Sequence, residues 1–280
     1  MQPKNDNILN QQKEAQKANN LEFNQNEDPK KRYIFKKILG GGGFGQVSLY
    51  YDNKSKKEVV IKKIQKKGKD EELRFYREIN ALKNIRSPNS VEYYGYYSDN
   101  TDYYIVMEKC DEDLASFMNK YPNGIPDSTI KVILLQLNEV FKIMRSKNII
   151  HRDLKPQNIL IKYNSQNSFI VKLADFGLNR EFNNKSFSTH LGTEIYAAPE
   201  VYGNKNYTPN KCDLWAIGVI IYELKFKEIT YLFHQGIIPK RFDNKLLDDL
   251  VRKLIVVDPN RRIDWNEYFN HPFFTSYIEI

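Results

Sequence analysis

Five glycines fill six positions, Gly40 to Gly45, within "KKILGGGGFGQVSLYYD" (residues 36–52). Such a run can be a flexible linker, a phosphate-binding turn ahead of a helix, or a lid over a nucleotide. A P-loop needs Lys and then Ser or Thr directly after its last glycine, and Gln46-Val47 stand there instead. A dinucleotide-binding turn needs a helix to start at that point, so that a pyrophosphate rests on its N-terminus. Val47-Ser48-Leu49-Tyr50 alternates and is rich in β-formers, so it predicts a strand. Asp52-Asn53-Lys54 marks a turn, and Glu58-Val59-Val60-Ile61 predicts a second strand. The pattern Gly40-x-Gly42-x-x-Gly45-x-Val47 therefore sits in a strand–glycine–strand unit. That unit fits a nucleotide lid and, equally, an ordinary glycine-rich hairpin.

Two further stretches separate those readings. "IIHRDLKPQNIL" (149–160) and "VKLADFGLNR" (171–180) occur once each, in that order, after "VVIK" (59–62) and "REINALKNI" (77–85) and before "GTEIYAAPE" (192–200) and "DPNRR" (258–262). With these motifs the chain resembles the eukaryotic protein kinases of the Ser/Thr type, from about Tyr33 to Phe274, with no subfamily assignable. The resemblance implies an α+β, bilobal fold: a small β-rich lobe with one main helix, and a larger, mainly helical lobe. It also implies a protein-serine/threonine kinase that moves the γ-phosphoryl group of ATP, with Mg²⁺ (or Mn²⁺ in its place), onto hydroxyls of protein substrates.

The same resemblance assigns roles. Asp153 orients the acceptor hydroxyl and takes its proton, and Lys155 neutralises the moving phosphoryl group. An isolated aspartate is a feeble base, so positioning supplies most of the benefit in a loose transition state. Asn158 and Asp175 supply oxygen ligands to the metal. Lys62 holds the α- and β-phosphates and needs fixing by Glu78, because a lysine is a mobile point charge. The segment Leu39, Gly40, Gly41, Gly42, Gly43, Phe44 and Gly45 closes its backbone N–H groups over the phosphates. Val47 and Val60 clamp the adenine ring, with Leu160 beneath it. Met107 sets the pocket's depth, Glu108 C=O and Cys110 N–H pair with adenine, and Asp113 reaches the ribose. On the activation segment (175–200), Thr189 is the expected phosphorylation site, with Ser186 and Ser188 behind it and Arg152 as the phosphate's partner. Thr193, Glu200, Asp213 and Arg262 are structural supports, the middle two being expected to pair with Arg262 and to brace the catalytic loop respectively. Read alone, Lys62 is one surface lysine among many, Glu78 a helix-face carboxylate and Asp175 a turn residue; only the series gives them these roles.

The elements that must position these groups are legible in outline. Strands dominate from Tyr33 to about Met107, interrupted by one helix from about Asp70 to Asn84, with Asp70 as N-cap and an apolar stripe at Leu73, Tyr76 and Ile79. After Asp113 the pattern turns helical. Ile130, Ile133, Leu137, Val140, Phe141 and Met144 keep helical spacing, and "DLWAIGVIIYEL" (213–224) is apolar almost all round, which predicts a buried helix. Residues 1–28 hold twelve Asn or Gln and too little apolar surface to order themselves, so a disordered tail is expected there. The kinase domain is expected over 29–276, with an N-lobe of about 29–107, a hinge at 108–112 and a C-lobe at 113–276.

Composition narrows the class. The 280 residues suffice for one large domain or two lobes. Cys110 and Cys212 are the only cysteines, which supports neither a disulfide framework nor a cysteine zinc site. No apolar run approaches a membrane span and no secretory or acylation signal is evident, so no membrane insertion and a cytoplasmic (or nuclear) location are expected. The net charge of +8 reads as a solvated lysine-rich surface, and no nucleic-acid partner is expected. A monomer is expected, with protein substrates and an upstream kinase as partners. The chain ends just after "HPFF", so no C-terminal regulatory domain is expected.

Departures from the family pattern are few. Val60 replaces an alanine in the adenine roof, Ser87 the histidine of "HPN", and Gln157 a glutamate common in base-preferring kinases. "KFKEITYLFHQGIIPKRFD" (225–243) replaces the usual "G-x-P-F" stretch, a region where substrates or regulators dock. The alternative readings are a pseudokinase scaffold that binds nucleotide without turnover, a small-molecule kinase of related architecture, and a nucleic-acid binder with charge alone behind it. The intact Lys62, Glu78, Asp153, Asn158 and Asp175 disfavour the first, and Lys155, Thr193 and the "APE" ending the second.

Overall fold

Alternation in the first hundred residues becomes an antiparallel sheet. The computed structural model describes residues 28–42, 45–165, 168–176, 194–203 and 209–276. They divide into two units, one running up to Lys83 and including Val91–Lys109, the other comprising Asn84–Ser90 and the chain from Cys110 onward. The expectations placed on residues 1–27 lie outside the described residues.

In the first unit, α1 (Pro29–Arg32) leads into β1 (Tyr33–Gly42), β2 (Gly45–Asp52), β3 (Lys57–Gln65), α2 (Lys69–Asn84), β4 (Tyr93–Ser98) and β5 (Asp102–Glu108), with sheet order β1-β2-β3-β5-β4. Asp28 caps α1, accepting the Lys30 N–H at 3.0 Å, so it belongs with the folded chain rather than with the tail. The glycine stretch differs from the expected loop. Gly40, Gly41 and Gly42 are strand residues paired with Val47, Gln46 and Gly45, while Gly43 and Phe44 lie outside the described residues.

The period-2 alternation of β3 sends Val59 and Ile61 to one face and Val60, Lys62 and Ile64 to the other. On the Lys62 face lies α2, which buries Phe75, Ile79 and Leu82; the Phe75 ring stacks on Tyr103 at 4.4 Å and meets Tyr96 edge-on at 5.5 Å. Asp70 lies inside the first turn with Glu71 and Glu72 and is not the N-cap, because the helix already begins at Lys69. On the opposite face Tyr33, Val59, Ile61 and Val106 form a buried cluster roofed by Tyr50, Tyr97 and Tyr104. Tyr97 stacks between Tyr33 (5.8 Å) and Tyr104 (4.5 Å), nearly parallel to both. Stacked rings thus cover a sheet face that would otherwise meet water.

The second unit contains β6 (Glu112–Asp113), α3 (Leu114–Met118), α4 (Asp127–Ser146), β7 (Ile159–Tyr163), β8 (Phe169–Leu173), α5 (Glu200–Gly203), α6 (Cys212–Phe226), α7 (Lys245–Leu254), α8 (Trp265–Phe269) and α9 (Pro272–Thr275). The helical spacing of 130–144 becomes α4, and all six residues of its stripe are buried. Along α6 nearly every side chain from Cys212 to Leu224 is buried, as its unbroken apolar character requires. A purely helical reading after Asp113 misses the three-stranded sheet β6-β7-β8. β6 is only the pair Glu112–Asp113, and β7 and β8 are short, largely apolar runs whose period cannot distinguish strand from buried helix. Between α6 and α7 the replaced stretch forms one 3₁₀ turn, Tyr231–Gln235, capped by the Thr230 side chain. Among the described residues no helix is long and apolar enough to cross a membrane.

Candidate active site

In the first unit, β3 and α2 bring Lys62 and Glu78 together. The Lys62 Nζ lies 2.7 Å from Glu78 Oε1 and 2.9 Å from Oε2, and both side chains are buried. A buried pair is tolerable only when geometry this close offsets the cost of removing both charges from water. Val47 stands opposite Lys62 in the β2–β3 ladder, and Val60 stands opposite both Leu49 and Met107. Val47, Val60, Met107 and Lys62 therefore occupy adjoining positions on one face of the sheet. A bulge between Ile38 and Gly40 displaces Leu39, which is about half exposed. Glu108 ends β5, with its N–H on the Glu92 carbonyl at 2.9 Å and its carboxylate accepting the Glu92 N–H at 2.8 Å.

The glycines of this edge are not equivalent. Gly45 has φ +130°, and a Cβ there would lie 2.1 Å from the Lys63 carbonyl oxygen. At Gly40 a Cβ would meet nothing within 4 Å.

In the second unit a tight loop and the 3₁₀ turn Pro156–Asn158 fold Asp153, Lys155 and Asn158 onto one another. Asp153 Oδ2 accepts from Lys155 Nζ at 2.8 Å and from Asn158 Nδ2 at 3.0 Å, and the same Nδ2 donates to the Asp153 carbonyl at 2.7 Å. With its amide group turned toward Asp153, Asn158 presents Oδ1 on its other side. The buried His151 ring, with no role in the sequence reading, lies behind this cluster. Its Nδ1 accepts the Asp153 N–H at 3.3 Å, so Nε2 carries the proton and donates to the Ala174 carbonyl at 2.8 Å. The Ala174 N–H in turn donates to the Asn158 carbonyl at 2.9 Å. Ala174 is thus held on both sides, and Asp175 follows it directly.

Asp175 (φ +58°) and Arg152 (φ +68°) both adopt the left-handed region, each costing on the order of 1 kcal/mol for a residue with a Cβ. The helix α6 holds the loop at Arg152. In its first turn Asp213 accepts the His151 N–H on Oδ2 at 2.8 Å and the Arg152 N–H on Oδ1 at 2.9 Å. Leu160, half-buried on β7, pairs with Asp113 on β6. The Asp113 side chain caps α3 through the Ser116 N–H at 2.7 Å, and Cys110 is half-buried.

Farther along, Arg262 is buried and forks onto Glu200 at 2.6 and 2.9 Å, while also donating to the Val256 and Lys211 carbonyls. Three residues past Thr193, the Tyr196 hydroxyl donates to Glu223 of α6 at 2.5 Å. Burial pushes the Glu223 carboxyl above its ordinary value, and the Tyr196 bond opposes that only in part. Gly43, Phe44, Ser186, Ser188, Thr189 and Thr193 lie outside the described residues.

The family model described as "Protein kinase domain" matches residues 33–274. The chain belongs to the protein kinase family. Among similar proteins, the probable serine/threonine-protein kinase fhkB of Dictyostelium discoideum is 35% identical over 268 residues, covering 87% of this chain and 23% of that protein. Serine/threonine-protein kinase atg1 of the same organism is 32% identical over 263 residues (85% and 38%). Calcium-dependent protein kinase 6 of Plasmodium berghei (strain Anka) is 36% identical over 262 residues (88% and 17%). This kinase chain therefore spans 17–38% of the length of these three relatives. The kinase motifs placed Asp153 and Asn158 in view, but His151 had no signal beyond adjacency to Asp153, and the Tyr196–Glu223 bond had none.

Proposed function

We propose that this kinase domain, over about residues 28–276, transfers the γ-phosphoryl group of ATP to Ser or Thr hydroxyls of protein substrates. The observation that carries the reading is the Asp153–Lys155–Asn158 cluster: a carboxylate fixed by an ammonium and an amide within hydrogen-bond distance. Both donors end on Oδ2, so Oδ1 is the oxygen an acceptor hydroxyl would meet. In the transfer, a bond forms from the acceptor oxygen to the γ-phosphorus and the bond to the β,γ-bridging oxygen breaks. ADP leaves, and Asp153 takes the hydroxyl proton. Lys155, already beside Asp153, offsets negative charge on the transferring group. Lys62, held by Glu78, is the ammonium for the α- and β-phosphates, and the ladder neighbours Val47, Val60 and Met107 supply an apolar face for the adenine.

The donor set fits Mg²⁺. Asn158 Oδ1 and the Asp175 carboxylate are hard oxygen donors, and the Ala174 N–H bond to the Asn158 carbonyl ties their backbones together. Two protein oxygens suit an ion that keeps phosphate oxygens and waters for the rest of its shell. When bound, the ion neutralises triphosphate charge.

Regulation belongs to the same reading. A phosphate on Thr189 would bring about −1.5 to −2 charges and charge-assisted bonds to Arg152, whose backbone Asp213 already holds. Full activity in Thr189→Ala protein carrying no phosphate would remove this part.

The test is direct. The purified chain is incubated with γ-labelled ATP, Mg²⁺ and generic protein substrates, beside Lys62→Met and Asp175→Asn. Label on Ser and Thr that vanishes in both variants is expected. Nucleotide binding without transfer would replace the enzyme by a nucleotide-binding scaffold, and label on Tyr would overturn the acceptor class.

A further inference from the structure

The net charge of +8 is unevenly placed: residues 28–58 carry eight Lys or Arg against three Asp or Glu. Two of those carboxylates already have partners. Asp52 is forked by Arg32, and Glu58 lies 2.8 Å from Lys109 Nζ. Lys109, with Lys36 and Lys37 adding their charge, holds the Glu58 carboxyl below its ordinary value.

The fold gathers this charge at one end of the first sheet. Asn53, in the β2–β3 turn, donates from Nδ2 to the Lys31 carbonyl at 3.1 Å and from its N–H to the Arg32 carbonyl at 2.9 Å. With the Arg32–Asp52 fork, these bonds lock α1 onto the turn. The exposed Lys30 and Lys31 therefore share that end of the sheet with the exposed Lys56 and Lys57. The edge strand β1 continues the surface, and every residue from Ile34 to Gly41 is exposed. Ile34 and Phe35, 48% and 53% exposed, precede Lys36 and Lys37. Apolar side chains set among lysines suit a lipid–water boundary, where ammonium groups stay at the headgroups and alkyl groups and rings reach below them.

An extended acidic peptide is the competing partner, because β1 is an edge strand. Irregularities between Phe35 and Lys37 and between Ile38 and Gly40 break its register, so it offers no continuous template for a further strand. A lipid surface needs no register. We propose that α1, the β2–β3 turn and the outer edge of β1 dock peripherally on an anionic membrane surface, through Lys30, Lys31, Lys56 and Lys57 with Ile34 and Phe35 between the headgroups. This goes beyond the kinase reading, and its test reads binding alone.

The full chain is co-sedimented with vesicles of phosphatidylcholine, alone or with about 30% phosphatidylserine. Wild type is expected to partition about a hundredfold more strongly onto the anionic vesicles, with the preference shrinking as salt rises from about 0.1 to 0.5 M. Lys30→Gln, Lys31→Gln, Lys56→Gln and Lys57→Gln together are expected to lower that partition about thirtyfold or more. Ile34→Ser with Phe35→Ser is expected to lower it about three- to tenfold and to leave its salt dependence as in wild type. The control is Lys142→Gln, Lys147→Gln, Lys245→Gln and Lys253→Gln, which removes the same charge from exposed sites of the second unit and is expected to leave partition within about twofold. No preference of wild type for anionic vesicles, or an equal loss in the control, overturns the inference. A single-stranded oligonucleotide or polyglutamate that binds wild type and not the first lysine variant, while vesicles bind neither, also overturns it and gives the surface to another polyanion.

Discussion

Lys62 and Glu78, sixteen residues apart, meet as a closed buried pair in which one ammonium touches both carboxylate oxygens within 2.9 Å. Removing only the lysine leaves a buried carboxylate with its main partner gone. Lys62→Met is expected to abolish transfer and to destabilise the protein by about 3–5 kcal/mol, whereas Lys62→Met combined with Glu78→Leu recovers most of that stability and none of the activity. Urea unfolding of the three proteins, beside a transfer assay, checks both statements. A double variant less stable than the single one would contradict the account of the pair.

Arg32 and Asp52 clasp the start of the domain to the β2–β3 hairpin, with bonds of 2.8 and 2.9 Å from the guanidinium. Burial alone would raise the Asp52 carboxyl. The bonds from Arg32, the Lys54 N–H and Ser55 Oγ, with the Arg32 charge, outweigh burial and hold it well below the usual carboxylate range. A carboxyl depressed in the folded state contributes stability that is fully present above its unfolded pKa, near 4, and is lost as pH falls below that. Asp52→Asn is therefore expected to cost about 1–3 kcal/mol at pH 7, with the gap to wild type narrowing steadily below about pH 4. Unfolding midpoints from pH 7 to pH 2 measure this. A gap that stays constant to pH 2 would refute it.

Asp153 has its carboxylate aligned by Lys155 and Asn158. Asp153→Asn preserves shape and removes the proton acceptor. It is expected to lower kcat by about 10²- to 10⁴-fold while nucleotide affinity changes less than about threefold, read by single-turnover transfer and a fluorescent-nucleotide titration.

Gly45 and Gly40 belong to one motif and differ in what they tolerate. With φ +130° and the Lys63 carbonyl 2.1 Å from any Cβ, Gly45→Ala is expected to cost about 2 kcal/mol or more. Gly40→Ala, in open space, is expected to stay within about 0.5 kcal/mol. Gly124 gives an independent check in the second unit. There φ is +88° and a Cβ would lie 1.8 Å from the Lys225 carbonyl, so Gly124→Ala should resemble Gly45→Ala. Thermal unfolding ranks the three.

Much of this was readable along the chain because some signals are local. The alternation of 47–50 and 58–61 marks β2 and β3, and the spacing of 130–144 marks α4, since strand and helix periods sort side chains onto faces before any packing occurs. The kinase motifs likewise lie within short windows, so Asp153, Lys155, Asn158, Asp175, Lys62 and Glu78 could be named without coordinates. Less was visible where type and period conflict. The short sheet β6-β7-β8 carries no period of its own along the chain, and Asp70 has the residue type of a cap although the helix starts before it.

The order of the motifs and the residue types within them were enough to determine the family, because it depends on which groups the chain carries and how far apart they stand. Only the folded molecule decided that His151 bridges Asp153 and Ala174, that Gly45 rather than Gly40 must be glycine, and that Tyr196 and Ala197 are tied to Glu223 and His234. Each of these contacts joins groups whose separation is set by the packing of helices and turns. No periodicity along the chain records that distance.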